Sequence, residues 1–147
     1  MPDKARVRRP DAFKDLMQSL CKGDYAIFDT YADLLVFAAV LGQSRGESEP
    51  FTKTAEPVAM NIFSGRFDNS VFNTLAVHSQ GNDPTIMSKD NVEMKIKIFE
   101  EYANGGLKIL DNILKNSSKE DQQEPILNLL LRSNSENKVL NDITGLA

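Results

Sequence analysis

Cysteine, histidine and tryptophan are almost missing from this sequence, whose 147 residues include one Cys, one His and no Trp. A single cysteine, Cys21, excludes an internal disulfide, so nothing points to an oxidising compartment. With one Cys and one His, a zinc site would need carboxylates for most of its ligands, which is unusual for structural zinc. Long apolar runs are missing too. The longest, Leu34 to Leu41, has eight residues, whereas a membrane-spanning helix needs about 20. The N-terminus is basic, but no apolar stretch follows it, so no signal peptide is expected. There is no P-loop, no GxGxxG, no internal repeat and no low-complexity tract. What is present is ordinary. Hydrophobic residues make up 41% and charged residues 26%, in a length that suits one domain around one core. The expectation is a mostly helical, cytoplasmic domain with no membrane contact.

The net charge of −4 conceals an asymmetry. Residues 1–14 carry Lys4, Arg6, Arg8, Arg9 and Lys14 against Asp3 and Asp11, a net of +3. The remainder carries 12 basic and 19 acidic residues, a net of −7. A basic arm thus leads into an acidic body. Such arms are candidates for phosphate backbones, although a solvated, frayed terminus has the same composition.

Periodicity then divides the chain. Lys4 to Arg9 alternates, with Lys4, Arg6 and Arg8 on one face of an extended strand and Ala5 and Val7 on the other. Phe13, Leu16, Met17 and Leu20 mark one face of a helix over about 11–22, with Gly23 in the position of a C-terminal cap. Thr30, followed by Asp33, starts a second helix. Tyr31 to Leu41 is apolar almost all round, as in a buried helix, and Gly42 is expected to end it. Residues 42–57 read as a loop. Val58, Met60 and Ile62 alternate, which predicts a short strand near 58–62, although a helical turn fits as well. Val71, Phe72, Leu75 and Ala76 place a helix near 68–79.

The best-patterned segment runs from Asp90 to Leu114. Val92, Ile96, Phe99, Ala103, Gly106, Leu110 and Ile113 form one stripe over about three heptads. Gly105 and Gly106 are poor helix formers, so either a neighbouring backbone packs closely there or the helix bends. Pro125 suits the first turn of a further helix over Ile126 to Arg132. Residues 133–147 are expected to form a loose tail. The predicted fold is therefore mainly α: one compact helical domain over 1–132, with a long amphipathic helix at 90–114 and one short extra strand near 58–62.

No constellation suggests catalysis. His78, at the edge of its helix's apolar face, reads as structural or superficial. Cys21 lies four residues after Met17 on an apolar face, the setting of an inert buried thiol. Glu93, Glu100 and Glu101 mix with Lys95, Lys97 and Lys108 on what reads as a solvated face of the long helix. No metal site and no cofactor are predicted. A hydrolase working through carboxylate-bound divalent metal is the weakest of the readings, because no metal-spaced cluster appears.

The N-terminal third carries the sharper pattern. A short basic strand, an amphipathic helix and a nearly all-apolar helix over 4–42 follow the order of a ribbon-helix-helix unit. In such dimers two strands pair across a two-fold axis and enter the DNA major groove. Lys4, Arg6, Arg8 and Arg9 are then the candidate DNA-binding residues, in a homodimer on duplex DNA. The connection at 23–29 is long for this motif, and Asp29 would repel phosphate. A plain helical bundle with a basic arm explains the same pattern.

Three blocks carry a family resemblance. They are Arg6-Val7-Arg8-Arg9-Pro10, then Thr30-Tyr31-Ala32-Asp33-Leu34-Leu35-Val36-Phe37-Ala38-Ala39, and then Ile98-Phe99-Glu100-Glu101-Tyr102-Ala103-Asn104-Gly105-Gly106-Leu107-Lys108-Ile109-Leu110. Together they resemble the Dnd-system-associated proteins known as DNA phosphorothioation-associated protein four. The third block is the most specific, since a helical run rarely contains Asn-Gly-Gly. The resemblance implies a bacterial, cytoplasmic accessory role in phage defence, beside a system that replaces a non-bridging backbone oxygen of DNA with sulfur. It supplies no catalytic residues. The sulfur-handling steps need a cysteine desulfurase, an iron–sulfur protein and ATP-using partners, and this composition fits none of them. Two functions follow as expectations. One is a non-catalytic DNA-binding or regulatory accessory protein. The other is an acidic adaptor that docks on a larger component of the same system without DNA affinity of its own.

Overall fold

The structure is a computed structural model and describes residues 6–66, 70–79, 92–115 and 117–129. It is mainly helical, with one small sheet. The elements are β1 (Arg6–Pro10), α1 (Lys14–Cys21), α2 (Tyr31–Arg45), β2 (Thr54–Ala59), α3 (Met60–Arg66), α4 (Ser70–Ser79) and α5 (Val92–Leu114). Residues 123–129 form a further helix, α6. A 3-10 turn, Asp11–Phe13, leads into α1, and another, Lys119–Asp121, follows α5.

The long helix organises the rest. α5 packs along α2 and also meets α4 and β1. Leu34, Leu35, Ala38 and Ala39 of α2 are fully buried, as are Phe99, Ala103, Leu107 and Leu110 of α5. Phe63, Phe72 and Phe99 form a ring cluster, with centroids 4.4 to 5.6 Å apart. The expected stripe of α5 holds up to Leu110, but then Ile113 is exposed and Leu114 is buried. A strict 3.5-residue repeat drifts by about 20° per heptad on a straight helix. Three heptads of drift move the buried position on by one residue.

Thr30 caps α2 as its spacing predicts, its Oγ1 accepting from the Asp33 N–H at 3.1 Å. The helix does not stop at Gly42. It continues to Arg45 and closes on Gly46, whose φ of 67° is the left-handed conformation of a helix cap. Gly42 instead lies inside the helix, on the seam with α5. A Cβ there would collide with the Tyr102 carbonyl and lie 3.1 Å from the Gly106 nitrogen. Its role is close helix contact.

The second strand falls earlier than expected, at Thr54–Ala59, and Met60 already begins α3. Met60 and Phe63 are buried three residues apart while Ile62 is 45% exposed. The alternation at 58–62 therefore spans the end of β2 at Val58 and the first turn of α3 from Met60. β1 and β2 pair antiparallel, with Val7 opposite Val58 and Arg9 opposite Ala55. Between those pairs Arg8 faces both Glu56 and Pro57, a bulge on β2 where proline has no N–H to give. β1, the strand of the ribbon-helix-helix reading, is thus paired on one edge with β2 of its own chain.

The C-terminal part of the described chain returns to α1. Gln122 is buried, and its Nε2 donates to the carbonyls of Ser19 (3.1 Å) and Tyr25 (2.9 Å), while its Oε1 accepts from Ser19 Oγ. Residues 1–5, 67–69, 80–91, 116 and 130–147 fall outside the description. The Asp90 end of the predicted 90–114 helix, the Gly81 stop, the last part of the 126–132 helix and the 133–147 tail lie there.

Candidate interface at the N-terminal strand

Strand alternation sends the arginines of β1 to opposite sides. Arg6 and Arg8 lie on the exposed face, and Val7 and Arg9 are buried. Lys4 lies outside the described residues. Arg6 is exposed and makes no ion pair among the described residues.

Arg8 is bound into the fold. Its backbone N–H donates to Glu100 Oε2 at 2.6 Å, and its Nε and Nη2 donate to Glu100 Oε1 at 3.1 and 2.9 Å. The Glu100 side chain is 3% exposed and that of Arg8 is 44% exposed. A buried carboxylate is costly unless it is paired and hydrogen-bonded, and one residue of β1 supplies all three donors. Glu100 is therefore buried, which corrects the sequence expectation of a solvated face. It closes the edge of β1 opposite β2, at the position of Arg8. Phe51 flanks the guanidinium, its ring centroid 5.0 Å from Cζ. The hydrogen bonds that Glu100 accepts, with the attraction of Glu100 and Glu101, raise the Arg8 pKa despite partial burial.

Arg9 points the other way and is 7% exposed. Its Nε donates to the Glu56 carbonyl at 2.6 Å, and its Cζ sits 4.2 Å from the centre of the Tyr31 ring. Lys22 Nζ approaches the same ring at 5.5 Å. Two cations thus share one aromatic ring. Cys21 lies nearby and is buried, and its thiol donates to the Thr30 carbonyl. Burial pushes the thiol up to about 12, with Asp33 acting in the same direction and Lys22 and Arg9 opposing.

The Asn104-Gly105-Gly106 run is explained residue by residue. Asn104 is buried, and its Nδ2 donates to the Glu49 carbonyl at 3.0 Å. The Glu49 N–H in turn donates to the Glu101 carbonyl at 3.0 Å. A Cβ on Gly105 would strike the Glu47 carbonyl, and one on Gly106 would strike the Ala38 backbone. Asn104 and Gly105 therefore seat the 46–53 connection, and Gly106 admits α2. Of the two readings open from sequence, close packing is the one observed.

Sequence reasoning missed Glu100, Phe51, Tyr31 and Glu56 as partners of the arginines. One signal was available for Glu100. It lies four residues after Ile96 and seven before Leu107, on the flank of the apolar stripe. Among the described residues no group of three or more His, Cys, Asp or Glu side chains comes together to hold a metal ion. Nor is any described helix long and apolar enough to cross a membrane. The side chain of His78 lies outside the description. A family model described as DNA sulphur modification system-associated protein 4 matches residues 6–144. No curated protein and no solved structure matches the chain.

Proposed function

The chain belongs to the DNA sulphur modification system-associated protein 4 family, and on that premise we propose that it is a non-catalytic accessory protein that docks on a larger protein of that system. One observation carries this reading. The described arginines Arg8 and Arg9 do not stand free on the surface as a duplex backbone would need: Arg8 is bound to buried Glu100, and Arg9 lies beneath the surface beside Tyr31. A phosphate would have to compete with a carboxylate already holding Arg8 by two side-chain hydrogen bonds. The acidic body, with its net of −7, further discourages a duplex. The outer side of α2 supports docking, since Val40 is 45% exposed there and Val36 and Phe37 are only partly covered. The test is co-purification of the tagged chain with the modification proteins of its system, with and without nuclease. Nuclease-resistant association with no duplex affinity is the expected result. Association that disappears with the DNA refutes it.

A second reading retains DNA contact through Lys4, Arg6 and the outer edge of Arg8, above the buried Arg9. It is favoured by the exposure of Arg6 and the half-exposure of Arg8 on one face of β1. Such binding weakens steeply with salt. Changing Lys4 and Arg6 to Ala should then abolish a measurable salt-sensitive shift of duplex DNA, and no shift from the unaltered chain ends this reading.

A further inference from the structure

Arg9 does more than brace the sheet. It lines a concavity of about 510 Å³ together with Asp11, Lys14, Asp15, Gln18, Tyr31, Ala55 and Glu56, within the range of ordinary ligand sites. Nε of Arg9 is held by the Glu56 carbonyl and Nη1 touches only the Met17 sulfur, at 4.0 Å. Nη2 makes no hydrogen bond among the described residues. Every fully buried side-chain nitrogen or oxygen there has a partner, so Nη2 keeps an opening to solvent. Arg9 is therefore a buried residue, 7% exposed, whose guanidinium has no carboxylate partner among the described residues and one unfilled edge. A buried cation in that condition is costly unless an anion completes it.

The rim has the opposite character. Lys14 is 3.7 Å from Asp11, which leaves that pair near neutral. The carboxylates of Asp15 and Glu56 and the amide of Gln18 take part in no hydrogen bond or ion pair among the described residues. One deep cation lies below two free anions. That arrangement rejects a bare polyanion at the rim and accepts an acid flanked by bases.

We propose that this concavity receives a glutamate or aspartate side chain of the docking partner, its carboxylate meeting the free edge of Arg9 while neighbouring lysine or arginine side chains meet Asp15 and Glu56. This identifies the partner's chemistry and rests on the docking reading above. The probe is a capped lysine-glutamate-lysine tripeptide, with lysine-glutamine-lysine as its control, titrated into the whole chain while the Arg9 Nε–H resonance is followed by NMR. A saturable shift is expected with the glutamate peptide. The glutamine peptide should bind at least about tenfold more weakly, or about 1.4 kcal/mol. Asp15→Lys with Glu56→Lys, both on exposed positions, should weaken binding by a similar factor without loss of folding. Equal response to the two peptides overturns the proposal, as does a larger response to inorganic phosphate, which would mark a phosphate site. Capture of the system's proteins is measured in parallel. If the rim double variant captures them as well as the unaltered chain, docking stands and this site does not. If the unaltered chain captures none, the docking reading falls and takes this proposal with it.

Discussion

Gly106→Ala tests the central packing of this fold, because two physical effects predict opposite signs. Helix propensity alone favours the change by about 0.8–1.0 kcal/mol. Packing opposes it. A Cβ on Gly106 would lie 2.5 Å from the Ala38 carbonyl carbon and 2.8 Å from its Cα. Carbon atoms in contact sit about 3.5–4.0 Å apart, so α2 and α5 must separate by about 1 Å. The obstacle is backbone, which has no rotamer to escape into. A gap of 0.5–1 Å already forfeits roughly a quarter to a half of each dispersion contact, and the seam holds many of the fully buried side chains among the described residues. Overpacking of this kind costs about 1–3 kcal/mol, and a rigid obstacle belongs at the upper end. The net expectation is a loss of about 2 kcal/mol, or roughly 4–8 °C in Tm. Urea and thermal denaturation measure it. Asn112→Ala, at an exposed position of the same helix, is the control and should be neutral to slightly stabilising by propensity. A Gly106→Ala protein as stable as the parent, with an unchanged m-value, would refute the argument.

Two further predictions concern the arm. Glu100→Gln removes the charge that holds Arg8 and should cost about 1–2 kcal/mol in urea denaturation. That is below the 3–5 kcal/mol of a wholly buried pair, because Arg8 is half-exposed and water screens it. Glu101→Gln, on a less buried carboxylate, should change stability by less than about 0.5 kcal/mol. The raised Arg8 pKa stabilises the fold at every pH below the ordinary guanidinium range, and that stability is lost only above it, so this guanidinium adds no pH dependence near neutrality. Cys21 acts at alkaline pH. Its folded pKa near 12 lies above the ordinary thiol value of 9.0, so above pH 9 the unfolded chain releases the proton first and stability falls until about pH 12. Cys21→Ser should flatten that part of the curve. At pH 8 iodoacetamide should label Cys21 slowly in buffer and rapidly in urea; rapid labelling of the folded chain contradicts its burial.

The features that sequence revealed were those with local causes. The Thr30 cap, the Met17 and Leu20 face, Gly23 with its φ of 88°, and most of the α5 stripe all depend on residues within two turns of one another. The features it misjudged depend on distant partners. Gly42 resembles a helix stop until Tyr102 and Gly106 lie against it. Glu100 resembles a solvated acid until Arg8 arrives from 92 residues away. The alternating arginines of β1 were correctly divided into an outward Arg8 and an inward Val7. What their position in the chain could not disclose was the Tyr31 ring under Arg9 or the ladder with Thr54–Ala59.

The span between Arg8 and Glu100 also bears on how the chain is made. β1 leaves the ribosome before the other described elements, yet its outer edge is completed by α5, and Ser19 in α1 is completed by Gln122, 103 residues later. The closure to Glu100 is about twice as long as that from Arg9 to Glu56, at 92 against 47 residues. A doubling costs only about 0.6 kcal/mol in loop entropy, so the delay is one of order in time more than of energy. A nascent chain halted before residue 92 would lack the Glu100 clamp on Arg8 and hold β1 through β2 and the contacts of Arg9 with Tyr31 and Met17, and a lone two-stranded sheet is marginal in water. The earliest of the described elements is thus among the last to be completed.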